Sequence, residues 1–236
     1  MSKKFNRIFL YLFSISIIYF MLFFAFYLVC FIDKDGLYKI IVENKTYNNL
    51  PFTLSDFDLK NLSRELMQYI SGRLQFLETK VTINEVLTDF YSLRSKIHMA
   101  DVRNLIINYR NVTFVSIIVC IISLFKLRNI DEPIKNLKQA YLKTLALVAI
   151  LLIALIIFAS SNFDVFFTKF HETLFTNDLW LLDPSEDFII CLLPEKVFMI
   201  YARRIAIAMI IALILPYSFL QTLSRIQLRQ EARWLL

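Results

Sequence analysis

Four apolar runs dominate this chain, each close to the roughly 20 residues that an α-helix needs to cross a bilayer. They lie at about 8–32, 105–126, 142–163 and 203–223. Backbone amides in lipid must be satisfied within the segment itself, which leaves helices as the form these runs can take. With 58% hydrophobic residues over 236 positions, the composition agrees with a membrane protein. The strictly apolar part of the second run, Thr113 to Phe125, is short, but the helix-compatible "NLIINYRN" upstream extends it. Pro216 sits inside the fourth run and is tolerable where neighbours satisfy the carbonyl it frees. The first run follows "MSKKFNR", and its length without a small-residue cleavage site reads as an anchor, not a signal peptide. The expected fold class is a membrane α-helical one with four transmembrane helices.

Basic residues set the expected orientation. Lys3, Lys4 and Arg7, then Lys126 to Lys143, then Arg225, Arg229 and Arg233 flank the runs on one side, so both termini are expected in the cytoplasm of a cell-membrane protein. Residues 33–104 then form an extracytoplasmic insert between helices 1 and 2, and 164–202 a second outer segment, expected to be catalytic. Arg203 and Arg204 break the charge rule at the outer mouth of the fourth helix. They read either as interface cations snorkelling into headgroups or as an anion clamp. The net charge of +6 comes mainly from the cytoplasmic flanks and implies anionic membrane lipid as its partner, not nucleic acid.

The insert reads as a small α+β fold. "GLYKIIVENKTY" and "KVTINEVLTDFY" have the β-branched and aromatic content of short strands. Between them Leu59, Leu62, Leu66, Ile70, Leu74 and Leu77 recur at helical spacing, with Ser55 or Asp56 as a cap. So small an insert is expected to lean on the membrane surface or on the second outer segment. The two glycines, Gly36 and Gly72, exclude a P-loop, a dinucleotide fingerprint and a G-x-S-x-G elbow, all of which need clustered glycine. Cys30, Cys120 and Cys191 form neither a disulfide framework nor a metal pattern.

The chain has two histidines, His98 in "HMADVRNL" and His171 in "FHETLFTNDLW". A helix from His98 to Phe125 is about 40 Å long against a hydrocarbon core of roughly 30 Å, which raises His98 to headgroup height. His171 follows the outer end of the third helix and reaches a similar level. Imidazole titrates near neutrality and suits proton transfer. Asp101, one turn beyond His98, falls on the same face and is expected to orient that ring through its second nitrogen. A structural role for either histidine is the plain alternative. "HETLF" lacks the second histidine of a zinc-protease helix, and no spacing supports a metal held by the two histidines with Asp101 or Asp178. In the stretch 170–188, Phe170, Leu174, Phe175, Leu179 and Leu182 are expected to grip the interface while His171 faces His98.

"HMADVRNL" together with "FHETLFTNDLWLLDPSEDFIICLLPEKVF", and the earlier "LMQYISGRLQFL", on a four-helix frame, resembles the lipoprotein intramolecular transacylase family. The resemblance implies acyl transfer on diacylated membrane lipoproteins. The sn-2 acyl chain of the diacylglyceryl-cysteine moves to its own α-amine, giving the N-acylated lyso form without a cofactor. It also implies His98 and His171 as the catalytic pair, one accepting a proton from the amine and the other supplying the departing oxygen, with the two roles unassigned. Candidate oxyanion donors are Arg103, Asn177 and the indole of Trp180. Their alternatives are a phosphate contact, a turn former and an interface anchor. The competing functional readings are a non-catalytic membrane sensor or scaffold and an interfacial lipid ester hydrolase.

Overall fold

A computed structural model describes residues 3–83, 85–128 and 130–234. Helix α1 spans Lys3–Phe31. Between it and the long helix α4, Leu93–Leu127, lie α2 (Gly36–Asn44), a 3-10 turn at Thr46–Asn49, α3 (Asp56–Ile70) and the strands β1 (Lys80–Ile83) and β2 (Val86–Asp89). Helix α5 spans Pro133–Ser161, α6 Phe163–Leu174, α7 Phe188–Leu192 and α8 Glu195–Trp234. Among the described residues, four helical stretches are long and apolar enough to cross a membrane: Phe5–Phe31, Leu93–Leu127, Pro133–Ser161 and Glu195–Gln227. Each contains one of the four runs expected from sequence, apart from a residue or two at the first and third ends.

The bounds differ from expectation for local reasons. The third helix stops at Ser161, not 163, because Asn162 turns extended (φ −157°) before α6 begins. The fourth begins at Glu195, just after Pro194, so Arg203 and Arg204 lie well inside α8, both exposed.

The chain divides into two compact units. One combines the chain up to Phe26 with Arg110–Phe163 and the chain from Ile207 onward. Its buried side chains include Leu10, Ile18, Leu127, Leu137, Ala140, Tyr141, Leu213 and Leu220. Tyr141 is fully buried and donates its hydroxyl at 2.6 Å to the carbonyl of Leu213, three residues before Pro216 in α8. A proline ring crowds the preceding helical turn and disturbs its hydrogen bonds, so a neighbouring hydroxyl here supplies a donor beside the proline.

The other unit, Tyr27–Tyr109 with Asp164–Ala206, carries both histidines. One core serves the whole of it: Leu37, Ile40 and Ile41 from α2, Leu59, Leu62 and Leu66 from α3, Val81 from β1, then Ile189 and Leu192 from α7. Fully burying each such side chain contributes about 1.5–3 kcal/mol. The insert therefore packs against residues 164–202, one of the two supports expected for so small an insert. Thr46 donates to the carbonyl of Leu192 at 2.9 Å and Asn49 to that of Cys191 at 3.1 Å.

The first expected strand, in "GLYKIIVENKTY", is instead helix α2. Its buried residues, Leu37, Ile40 and Ile41, are spaced for one face of a helix, and that face outweighs the β-branched composition. "KVTINEVLTDFY" forms the antiparallel pair β1–β2, with Lys80 opposite Asp89 and Ile83 opposite Val86. The leucine-rich stretch is α3, capped by Ser55, whose hydroxyl accepts from the Asp58 amide at 3.0 Å. It ends before Leu74 and Leu77 because Gly72 adopts φ 80°, with Arg73 donating its amide to the Gln68 carbonyl and Gly72 to that of Tyr69. Glycine alone adopts that conformation without steric penalty, and the two reversed bonds close the helix.

Candidate active site

Ser92 starts α4. Its hydroxyl accepts from the Ser95 amide at 2.9 Å, a cap worth about 1 kcal/mol. His98 follows less than two turns later and is buried, 5% exposed. His171 lies in the last turn of α6, also buried, 8% exposed. The two rings face each other with centroids 5.9 Å apart and planes inclined by 40°.

Their surroundings differ. His171 sits among aromatic rings: Phe167 at 4.0 Å, Trp180 stacked at 4.9 Å and 27°, and Phe175 at 5.6 Å. Its Nδ1 lies 2.7 Å from the carbonyl oxygen of Phe167. A carbonyl only accepts, so Nδ1 carries the proton and Nε2 keeps its lone pair. Burial holds this imidazole below its ordinary value, opposed by the Phe167 carbonyl, which favours the charged form. His98 packs edge-on against Phe175 at 5.3 Å, and its Nδ1 is buried without a hydrogen-bond partner.

Asp101 shares the face of His98, but its carboxylate accepts from the side-chain amide of Asn177 at 2.9 Å. The expected pairing with the second nitrogen of His98 is replaced by this bond, since an amide offers a fixed donor at the same height. Asn177 also accepts the Leu179 amide at 3.1 Å, the turn-forming role weighed for it above. Arg103 follows His98 by five positions, about 140° around the helix. Its guanidinium lies 5.4 Å over the Tyr69 ring of α3. Trp180 is buried, 9% exposed, and forms a wall of the His171 pocket instead of an interface anchor.

Of the apolar residues expected at the interface, Phe170 and Leu174 are exposed. Phe175 is buried beside both imidazoles, and Leu182 packs on the common core. The residue exposed in their place is Leu181, at 55%. Asp183 turns the chain before Pro184 by accepting both the amide and the hydroxyl of Ser185, at 2.8 and 2.7 Å.

Sequence reasoning missed the lacing between α4 and residues 178–187. Asp187, 2% exposed, accepts from the hydroxyls of Ser92 and Ser95, the latter at 2.9 Å, and from the Asp183 amide at 2.9 Å. Burial pushes its carboxyl up, yet these donors and the nearby Arg94 outweigh that and hold it below the usual carboxylate range. Arg94 donates from Nε to the Leu181 carbonyl at 3.0 Å and from a terminal nitrogen to the Asp178 carbonyl. Among the described residues, no three or more His, Cys, Asp or Glu side chains converge as metal ligands.

Comparison with known proteins bears on what this site does. The family described as "Lipoprotein intramolecular transacylase Lit" matches residues 11–198. No curated protein sequence matches the chain significantly. A solved structure of the membrane-integral lipoprotein intramolecular transacylase Lit from Bacillus cereus superposes with a TM-score of 0.73 at 25% identity, covering 96% of this chain and 99% of that one. A histidine-to-arginine variant of the same enzyme gives a TM-score of 0.70 at 24% identity, covering 96% and 95%. A histidine-to-alanine variant gives 0.69 at 24% identity, covering 95% and 96%. With a family match over most of its length, this chain belongs to the Lit family of lipoprotein intramolecular transacylases, acyltransferases integral to the membrane.

Proposed function

We propose that this acyltransferase moves the acyl chain on the sn-2 oxygen of a lipoprotein's diacylglyceryl-cysteine to the α-amine of the same cysteine. The product is the N-acylated lyso form. His171 is the base and His98 the stabilising donor. The observation that carries this reading is the pair of facing imidazoles 5.9 Å apart, one with its proton fixed on Nδ1 by Phe167.

The amine nitrogen attacks the ester carbonyl carbon and forms the C–N bond while Nε2 of His171 takes an amine proton. The carbonyl oxygen becomes an oxyanion. Its collapse breaks the bond to the glyceryl oxygen, and His171 hands its proton to that oxygen. One imidazole can serve both ends because the attacking nitrogen and departing oxygen are bound to the same carbon. His98 donates to the oxyanion from its ring. Leaving a buried polar atom unpartnered costs about 1–3 kcal/mol, and a substrate oxygen relieves that cost at the Nδ1 side of His98. Nucleophile and ester belong to one molecule, and well-oriented intramolecular reactions reach effective molarities of roughly 10⁵ M or more. No cofactor takes part in these steps.

The site belongs, in this reading, at the outer leaflet of the cell membrane, with both termini in the cytoplasm. The basic flanks described above support that orientation. The length of α4, whose 35 residues run about 52 Å against a hydrocarbon core of roughly 30 Å, supports a place for His98, near its first turns, at headgroup height.

The test uses the whole protein in lipid vesicles with a diacylated lipopeptide. Transfer leaves the total mass unchanged, and fragment masses place the chain on nitrogen in wild type and on glycerol in His98→Ala and His171→Ala. Near-wild-type transfer by both variants would remove the mechanism. Free fatty acid with loss of one acyl mass would mean a hydrolase.

A further inference from the structure

Arg94 is exposed, yet it makes two bonds to one short turn. The chain from Asp178 to Leu181 is a β-turn closed by the Leu181 amide donating to the Asp178 carbonyl at 3.1 Å. Arg94 reaches across from α4 and donates to the carbonyls at both ends of that turn, Asp178 and Leu181, the latter at 3.0 Å. Trp180 lies between them in sequence, and its indole stacks on His171 at 4.9 Å. We propose that Arg94 is a positioning residue for acyl transfer, acting through Trp180: its guanidinium fixes the Asp178–Leu181 turn, which holds the indole against His171 and so sets that ring's orientation.

This inference rests on His171 being the base. Chemistry favours arginine in the role. A planar guanidinium presents N–H groups in a rigid fork, so it can hold two carbonyls in a fixed relation, whereas an ammonium is a single point donor. Because Arg94 is solvent-exposed, its bonds contribute little to global stability. What they do fix is geometry. Arg94 precedes His98 by one turn and lies on its side of α4, so the tie links the helix bearing one imidazole to the wall of the other. Ring placement matters steeply, since a misplacement of about 1 Å can cost on the order of 100-fold in rate.

The experiment is a double-mutant cycle on the full-length protein in lipid, read by kcat and KM for a diacylated lipopeptide. Arg94→Ala should lower kcat about 10- to 100-fold with KM within about twofold. Arg94→Lys should recover part of the loss. In a Trp180→Phe background the same Arg94→Ala change should cost less than about threefold more, because its route to His171 is already gone. Trp180 emission, measured in a Trp234→Phe background, should shift to the red in Arg94→Ala as the indole is released.

Additive effects of Arg94→Ala and Trp180→Phe would overturn the proposal, and so would an unchanged emission maximum. A loss appearing in KM alone would do the same. Should Arg94→Ala fail to accumulate, Arg94→Gln, which keeps one amide donor, carries the cycle. Retained transfer in His171→Ala would instead bring down the reading of His171 as base, whatever Trp180 emission shows.

Discussion

Nδ1 of His171 lies 2.7 Å from the carbonyl oxygen of Phe167, one turn earlier on the same helix, and this contact decides which ring nitrogen can do chemistry. Only a protonated Nδ1 can donate there. In protein carrying ¹⁵N-labelled histidine, His171 should show a protonated Nδ1 and an unprotonated Nε2 when the ring is neutral. The opposite tautomer would transfer the base role away from this residue.

Stability should depend on pH through the same ring. Burial is the main cause holding the His171 imidazole below its ordinary value of 6.5. The unfolded chain therefore binds the proton first, and stability rises with pH wherever it does so. The folded state is most stable above pH 6.5, where both forms are neutral. It loses stability as the pH falls through 6.5 towards the lower folded value, then levels off. His98 is the titratable side chain facing the ring from α4. It senses the charge of His171, so the comparison is made without it: the difference between the melting temperatures of His98→Ala and the double variant His98→Ala/His171→Ala should change across that window. Parallel curves would contradict the burial argument.

Asp187 ties the start of α4 to the turn at Asp183. Replacing it with alanine takes the acceptor from the buried Ser95 hydroxyl, the half-buried Ser92 hydroxyl and the Asp183 amide, so Asp187→Ala should lower the unfolding free energy by about 1–3 kcal/mol. Asp187→Asn, which still offers an accepting oxygen, should lose less. Denaturation in detergent micelles measures both, and a change below about 0.5 kcal/mol in Asp187→Ala would show the network to be dispensable.

Much of the frame was legible because lipid leaves a chain few options: an apolar run of spanning length has to be a helix, and all four were. The histidine pair was legible for a different reason, scarcity, since the chain has only two and the spans put them at comparable heights. What composition concealed was competition. Leu37, Ile40 and Ile41 look like strand residues until the core they share with Leu62 and Ile189 selects a helical face. Asp101 looks like a partner for His98 until Asn177, 76 positions away, supplies a better-placed donor. Arg94 and Asp187 were invisible because their partners are main-chain carbonyls and serine hydroxyls 84 to 95 residues distant, groups that every sequence contains. The resemblance drawn from the two histidine-bearing blocks named the family without any of these contacts.

The wall of Phe167, Phe175 and Trp180 around His171 has a consequence for the traffic of hydrogen ions. A hydrolase must admit solvent each cycle and release an acid, so its base needs a wet path outward. Moving an acyl group from oxygen to a neutral amine within one molecule takes up no hydrogen ion and gives none off, an amine that starts protonated having shed its ion before attack. An aromatic wall on one side of the imidazole is therefore no obstacle to the proposed transfer, and by thinning the water beside the acyl centre it disfavours free fatty acid.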